Sequence, residues 1–499
     1  MTDLSAELDR NQDPRRWFAL VVIAIASLMV VLDASIVNIA LPKAQADLHI
    51  SFANRQWVVT AYTLTFGGLL LLGGRIADYA GRKRVFIIGL IGFAAASALG
   101  GAAPDQALLF AARGLQGAFG AILAPAALSL ISVTFTDSKE RARAFGVYGA
   151  ISGVGAAIGL IVGGLLTQYL SWRWCLFVNV PMALIAVVLA IPNIRESKLS
   201  GKTKYDVPGA LLSTVGFVAI VYGINEAATP GHGWSSSITI ACLVVGTVLL
   251  VGFVAFEAKA KNPLLPLRVV LDRVRGGSLL SQFFTASGLF GMFLFLTYYF
   301  QEVHGYSPIR AGFAFLPFSI GIIVSATATS NLLPKVGPRP LGVIGSVMSA
   351  AGLLYLSFIK ADSSYVGSIL PAMIIMSLGL GLVFVTIAST ALFNVRHDES
   401  GVASAVLNTA QQIGGSLGTA IFNTIAISAT AAYAASHMIH ATTTTASASA
   451  EAATYGFTVA FKIGAACLAV AAVIFGTFVN VDRHHLAQHD DVTEEEIAA

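Results

Sequence analysis

Two opposite charges stand inside stretches of this chain that are otherwise apolar: Asp33 in the run 17–42 and Arg113 in the run 106–136. An ionisable residue inside a membrane-length apolar stretch is expensive, and it marks a functional site by default. A carboxylate and a guanidinium can do one kind of chemistry there. If the arginine approaches and withdraws, the carboxylate can release and bind a proton; the plain alternative is a static buried ion pair. Lys462, inside the outer half of the run 452–481, is the third such charge. It either snorkels toward water or lines a water-filled vestibule and disfavours cationic ligands.

These charges need helices to hold them. A helix crosses a bilayer with about 20 apolar residues. Eleven uninterrupted stretches have that length: 56–74, 85–104, 144–172, 174–194, 207–225, 227–256, 276–301, 311–334, 340–359, 363–395 and 400–450. With the three charge-bearing runs, the count is fourteen spans. The second half of 400–450, from Ser428 to Ala450, is rich in Ala, Ser, Thr and His and reads as an external loop. An even number of spans puts both termini on one side, and a polar start before a long first span implies that nothing is cleaved.

The composition leaves few other classes open. Of 499 residues, 56% are apolar and only 11% charged, against roughly 25% charged in soluble domains, and the mean hydropathy is +0.77. Disorder, a collagen-like fibre and an ordinary soluble enzyme are excluded. A net charge of +4 is too small and too dispersed to call for nucleic acid. Cys175, Cys242 and Cys467 stand alone in apolar runs without metal-ligand spacing and read as core residues. No zinc-ligand histidine pair, phosphate-cradling glycine loop or nucleophile elbow is found, so neither an enzyme nor an ATP-driven pump is expected.

Orientation follows the positive-inside rule. With the N-terminus inside, inner segments carry 23 Lys and Arg and outer ones five. Span 1 then runs outward with Asp33 eight residues before Leu41, and span 4 runs inward with Arg113 seven residues after Gln106. At about 1.5 Å per residue both lie roughly 10–12 Å below the outer face, so the two charges meet if spans 1 and 4 pack together.

The loop after span 2, Gly74-Arg75-Ile76-Ala77-Asp78-Tyr79-Ala80-Gly81-Arg82-Lys83-Arg84, combines glycines that permit a tight turn with an acid placed to accept from a helix N-terminus or from Arg82. It reads as a cytoplasmic gate, or more plainly as a topology-fixing basic loop. A shorter copy, Leu333-Pro334-Lys335-Val336-Gly337-Pro338-Arg339, follows span 10, which places six spans on either side of a central pair. Span 5 carries Gly149, Gly153, Gly155, Gly159, Gly163 and Gly164, several on one face, for close packing or pliability. Span 9 and the start of span 10 are rich in aromatics. Phe290, near mid-span, and Gln412, near the middle of span 13, are the best substrate-facing candidates, whereas Glu226 and Glu302 at span ends read as solvated.

The 74–84 string resembles the signature loop of the major facilitator superfamily, with Gly74, Asp78, Gly81, Arg82 and Lys83 on matching positions, Ile76 where Leu is usual and Tyr79 where Arg is. Leu32-Asp33-Ala34-Ser35-Ile36-Val37-Asn38-Ile39-Ala40-Leu41-Pro42 is similar to the span 1 signature of the 14-span drug:proton antiporters, with Ser35 for Thr. Trp172-Arg173-Trp174 with Phe177 to Pro181 resembles that family's entrance to span 6, and Arg113-Gly114-Leu115-Gln116-Gly117 also resembles a span 4 sequence of that family. The antiporter signature of span 5 is matched at Gly159, Gly163 and Gly164, with Leu160 where Pro is expected.

The resemblance implies an all-α membrane protein with a major-facilitator fold. A six-helix bundle over 17–194 and another over 259–480 would flank an extra pair over 195–258, with cytoplasmic tails at 1–16 and 481–499. It implies proton-coupled export of hydrophobic or amphiphilic drugs, dyes or toxic metabolites across the cytoplasmic membrane by a monomer; the matching depth of Asp33 and Arg113 makes them the candidates for coupling the proton. No cofactor is implied, because the proton gradient drives transport. Proton-coupled uptake of a small metabolite is the rival within transport, and a membrane-embedded enzyme or receptor-like scaffold the rival outside it.

Overall fold

A computed structural model describes residues 15–135, 137–198, 206–229, 232–260, 263–265, 267–393, 395, 400–437 and 445–480. Their regular structure is helical throughout. The long helices are α1 (Arg15–Asp47), α2 (Trp57–Ala80), α3 (Arg82–Gly101), α4 (Gln106–Thr134), α5 (Ser138–Tyr169), α6 (Trp174–Asn193) and α7 (Val207–Glu226). They continue with α8 (Ser237–Glu257), α9 (Arg273–Val303), α10 (Pro308–Val336), α11 (Pro338–Leu356), α12 (Tyr365–Ala391), α13 (Ser400–His437) and α14 (Thr445–Phe478). Thirteen are long and apolar enough to cross a membrane, and α5, with its apolar part Gly155–Tyr169, is the fourteenth.

Local chemistry starts and stops these helices. Asp105, Asp137 and Asp272 accept hydrogen bonds from backbone N–H groups in the first turns of α4, α5 and α9. Single glycines divide α2 from α3 and α10 from α11: Gly81 at φ +110° and Gly337 at φ +86°, a conformation that side chains disfavour. The loop after span 2 and its shorter copy after span 10 thus make the same break.

The region expected as an external loop is largely helical. α13 continues to His437 and α14 begins at Thr445, because alanine is the strongest helix former and the two helices hold each other. Tyr433 stacks on Tyr455 with ring centroids 4.8 Å apart, and Gly456 sits against the Ala426 carbonyl. Lys462 consequently lies near the middle of α14. The expected tails fall outside the described residues except for Arg15 and Arg16.

The chain divides into two compact units. One comprises Met1–Tyr222, Ala241–Leu264 and Tyr306–Phe315; the other comprises Gly223–Ile240, Leu265–Gly305 and Leu316–Ala499. In the first, α5 is an unbroken helix through Leu160. A methyl group on Gly159 would lie 1.9 Å from Ser35 Oγ, and one on Gly163 2.8 Å from Ile36, both on α1. Gly164 faces the other way, 2.6 Å by the same measure from Ile309 in the first turns of α10. Gly149 and Gly153 belong to the same helix, and their surroundings lie outside the described residues. In the second unit Gly414 and Gly418 of α13 press on Phe283 and Ser287 of α9 in the same manner.

Overpacking of this contact should cost roughly 1–3 kcal/mol or more. Gly159→Leu is therefore expected to lower the thermal unfolding midpoint of the detergent-purified protein by several degrees. Gly252→Ala on α8, where nothing lies within 4 Å, should leave it unchanged or raise it. Equal midpoints for Gly159→Leu and the unaltered protein would show that the α1–α5 contact is not tight.

Candidate functional site

The first unit brings Asp33 and Arg113 together. α2 and α4 approach closely because small residues face the contact. A methyl group on Gly117 would lie 2.2 Å from the Tyr62 carbonyl, and Thr65 Oγ1 donates to the Gly114 carbonyl at 2.7 Å. This approach sets Arg113 over the Tyr62 ring, 4.6 Å from its centroid, and lets Nε donate to the Val58 carbonyl at 2.9 Å. Nη1 donates to Asp33 Oδ2 at 2.7 Å and to Gln116 Oε1 at 2.6 Å. Both charged side chains are essentially removed from solvent, at 0% exposure for Asp33 and 2% for Arg113.

The second oxygen of Asp33 is also satisfied. Oδ1 accepts from Gln116 Nε2 and from Asn179 Nδ2, each at 2.7 Å. The same two amide nitrogens donate to Ser97 Oγ at 3.1 and 2.9 Å, and Ser97 donates onward to the Leu176 carbonyl at 2.7 Å. Every neighbour of Asp33 in this network is therefore a donor, the arrangement that suits an ionised carboxylate. Asn179 Oδ1 is buried with no hydrogen-bond partner among the described residues, so one acceptor stands in reserve.

Gln116, Ser97 and Asn179 carry no role in the sequence reading. Gln116 was the legible one, since it follows Arg113 by three residues and three-residue spacing shares a helix face. Ser97 and Asn179 lie 64 and 146 positions from Asp33; Asn179 stands in the motif at the entrance to span 6, but no local spacing ties either residue to Asp33.

The segment 74–84, expected as a loop, is helical except at Gly81, where the single glycine makes the turn, and it forms a second polar cluster. Arg82 donates to Asp78 Oδ1 through Nε and Nη2, at 3.0 and 2.7 Å. The anion at the N-terminus of α3 is Glu196, beyond the end of α6, whose carboxylate accepts from the backbone N–H groups of Lys83 and Arg84 at 3.0 and 3.1 Å. Lys83 Nζ donates to the Ile191 carbonyl at 2.6 Å, and the Arg82 N–H to the Ser197 carbonyl at 2.9 Å. A side chain at Gly81 would collide with Glu196, whereas one at Gly74 would meet Pro125 at an ordinary 3.5 Å. The loop is thereby tied to the end of α6.

In the second unit, the Phe290 ring lies over Gly415 of α13, one turn from Gln412, whose Oε1 is buried without a partner among the described residues. Lys462 is exposed. Glu226, expected to be solvated, is buried and in contact with His232 Nδ1, because the chain turns back over the end of α7. Glu302 is exposed as expected. Among the described residues, no group of three His, Cys, Asp or Glu is placed to hold a metal.

Residues 23–419 match the family model described as Major Facilitator Superfamily. The chain is 50% identical over 468 residues to a puromycin resistance protein of Streptomyces alboniger, covering 93% of this chain and 92% of that protein. It is 39% identical to a cephamycin export protein of Amycolatopsis lactamdurans, covering 83% and 85%, and 33% identical to a lincomycin resistance protein of Streptomyces lincolnensis, also covering 83% and 85%. The crystal structure of an auto-inhibited POT family peptide transporter is similar in fold, with a TM-score of 0.67 at 16% identity, covering 94% of this chain and 98% of that one.

Removing one partner of a buried ion pair leaves an uncompensated charge, at a cost of roughly 3–5 kcal/mol. Arg113→Leu, which strands the carboxylate, is expected to lower the unfolding midpoint sharply, and Asp33→Asn to lower it less, because the guanidinium keeps its bonds to the Val58 carbonyl and Gln116 Oε1. The double variant should recover most of the loss, since neither charge then remains. A double variant no more stable than Arg113→Leu would place the destabilisation outside the pair.

Proposed function

From a chain that belongs to the Major Facilitator Superfamily, we infer an exporter that moves hydrophobic or amphiphilic drugs or toxic metabolites out across the cell membrane. The protein is a multi-pass membrane transporter and not an enzyme. The observation that carries export is the set of antibiotic resistance and export proteins matching more than four-fifths of the chain. An efflux assay across a panel that includes puromycin tests it. Loss of the protein should raise accumulation, and a protonophore should do the same; the reverse pattern would make the protein an importer.

Proton coupling is our reading of the Asp33 site. Asp33 and Arg113 form a buried ion pair surrounded by neutral, rearrangeable amides, so the carboxylate can exchange its arginine for a proton without leaving either amide stranded. Substrate arriving from inside favours release of the proton, and protonation from outside resets the carrier. Both termini are cytoplasmic in this reading, as the distribution of Lys and Arg supports. The six-helix bundles are 17–194 and 259–480, with the extra pair over 195–258 between them in sequence. Gly74, Asp78, Gly81, Arg82 and Lys83 act as the cytoplasmic gate, and the glycines of α5 let that helix slide on α1. Phe290, Gln412 and Lys462 contact or screen substrate. The carrier works as a monomer in the bilayer, and no cofactor is required.

In proteoliposomes, substrate addition should release protons from the wild type and not from Asp33→Asn, and export driven by a pH gradient should fall to background in that variant. Transport by Asp33→Asn at the wild-type rate would move coupling to another residue. Asp78→Asn, which weakens the hold on Arg82, should raise labelling of single cysteines placed near the cytoplasmic end without loss of folding. Unchanged labelling and transport would leave the loop a topological role only.

A further inference from the structure

A carboxylate that takes a proton leaves its arginine with a full positive charge and no counter-ion. Inside membrane-spanning helices such a charge must find water or another polar group. The first unit contains a place for that water. A cavity borders Arg113, walled by Ala40 and Ala44 of α1, Val58 of α2, Leu109 of α4, and Trp172 and Cys175. Its room for water centres is ≈ 10 Å³, on the scale of the roughly 10–15 Å³ that one buried water needs.

Two further observations point into this cavity. Arg113 commits Nε and Nη1 to Val58, Asp33 and Gln116, while Nη2 donates to no acceptor among the described residues. The indole of Trp172, one wall of the cavity, is held from the solvent side: its Nε1 donates to Asp47 Oδ2 at 2.9 Å, and Asp47 is half exposed and also bound by Arg173. The cavity therefore lies between the buried guanidinium and the outer face, in the orientation proposed above.

Resting on the proton-coupling reading, we propose that this cavity is a hydration site for Arg113, which takes in water when Asp33 is protonated and expels it when the ion pair re-forms. Asp33 gains one proton from hydronium in the outer solution, an O–H bond forms, and a water molecule is left behind. Arg113 keeps all its protons and exchanges a carboxylate for water at the cavity. The apolar walls matter to this exchange. Nearly all of the lining is apolar, so a water there depends on Arg113 for its hydrogen bonds and is held only while the guanidinium lacks its carboxylate.

The titratable groups facing Asp33 are Arg113 of α4, Tyr62 of α2 and Cys175 of α6. α3 contributes the neutral Ser97. On α5, Tyr148 lies beside Ser27, well along α1 from Asp33, and Tyr169 is exposed at the far end of the helix. In the first turns of α10, Arg310 lies on Tyr306.

The test is proton uptake by the full-length protein in detergent, followed with a pH indicator as the solution is acidified. The Asp33 component is taken as the wild type minus Asp33→Asn. Ala44→Leu fills the cavity and should move half-maximal uptake of that component to lower pH by about one unit, since the protonated state loses its solvated arginine. Leu109→Ser enlarges the cavity and adds a polar partner, and should move it to higher pH. If Ala44→Leu does not fold, Leu109→Ser decides alone. No shift in Leu109→Ser, or shifts of both variants in the same direction, overturns the hydration site while leaving Asp33 as the proton carrier. Identical uptake by wild type and Asp33→Asn overturns the coupling reading, and the hydration site falls with it.

Discussion

The ion pair between Asp33 and Arg113 sets terms that the rest of the first unit must meet. Taking both charges out of water costs several kcal/mol per ion even after relaxation, and their mutual attraction offsets this only if the remaining lone pairs and N–H groups are satisfied. Five helices serve that need: α1 and α4 bring the charges, α2 a backbone carbonyl and a ring, α3 a hydroxyl and α6 an amide. The small residues between α2 and α4 follow from it. Without Gly117 the helices would stand too far apart for Arg113 to reach Val58. Apart from Arg113, the partners of Asp33 are neutral: two amides, both of which also donate to the hydroxyl of Ser97.

The second unit repeats the scaffold without the charges. Gly155 and Gly159 of α5 press on Val31 and Ser35 of α1, as Gly414 and Gly418 of α13 press on Phe283 and Ser287 of α9. In that register Thr285 stands where Asp33 does. The contacts of Gly89 with Leu123 and of Gly345 with Leu382 likewise place Ala372 where Arg113 is. Thr285 is fully buried and its hydroxyl has no partner among the described residues. Close packing of helices in a bilayer depends on small residues, and this requirement is met in both units. Among the described residues, an ion pair with both side chains removed from solvent is found in the first unit, between Asp33 and Arg113.

α6 connects the two polar clusters of that unit. Near its start, Asn179 holds Asp33 and Ser97. Near its other end, Ile191 takes a hydrogen bond from Lys83, and just beyond it Glu196 and Ser197 hold the first turn of α3. A displacement of this helix along its axis is felt at both places. The segment 74–84 and the buried carboxylate therefore both bond to α6 and the residues just beyond it.

The fourteen helices, the glycine break at residue 81 and the meeting of Asp33 with Arg113 were legible in the sequence. Each rests on a periodic or additive property: the length of an apolar run, the conformational freedom of one residue, or depth counted at a fixed rise per residue. The extension of α13 was misread because polar Ser and Thr outweighed the helix-forming tendency of the alanines among them. What only the tertiary structure decided is which neutral side chains complete the site. Ser97, Asn179 and Glu196 are ordinary residue types, and they gain their roles from helices separated in sequence by scores of positions. An expensive charge in an apolar run announces itself, whereas the donors that make it affordable do not, because a hydrogen bond between distant helices depends on their packing and not on any local pattern.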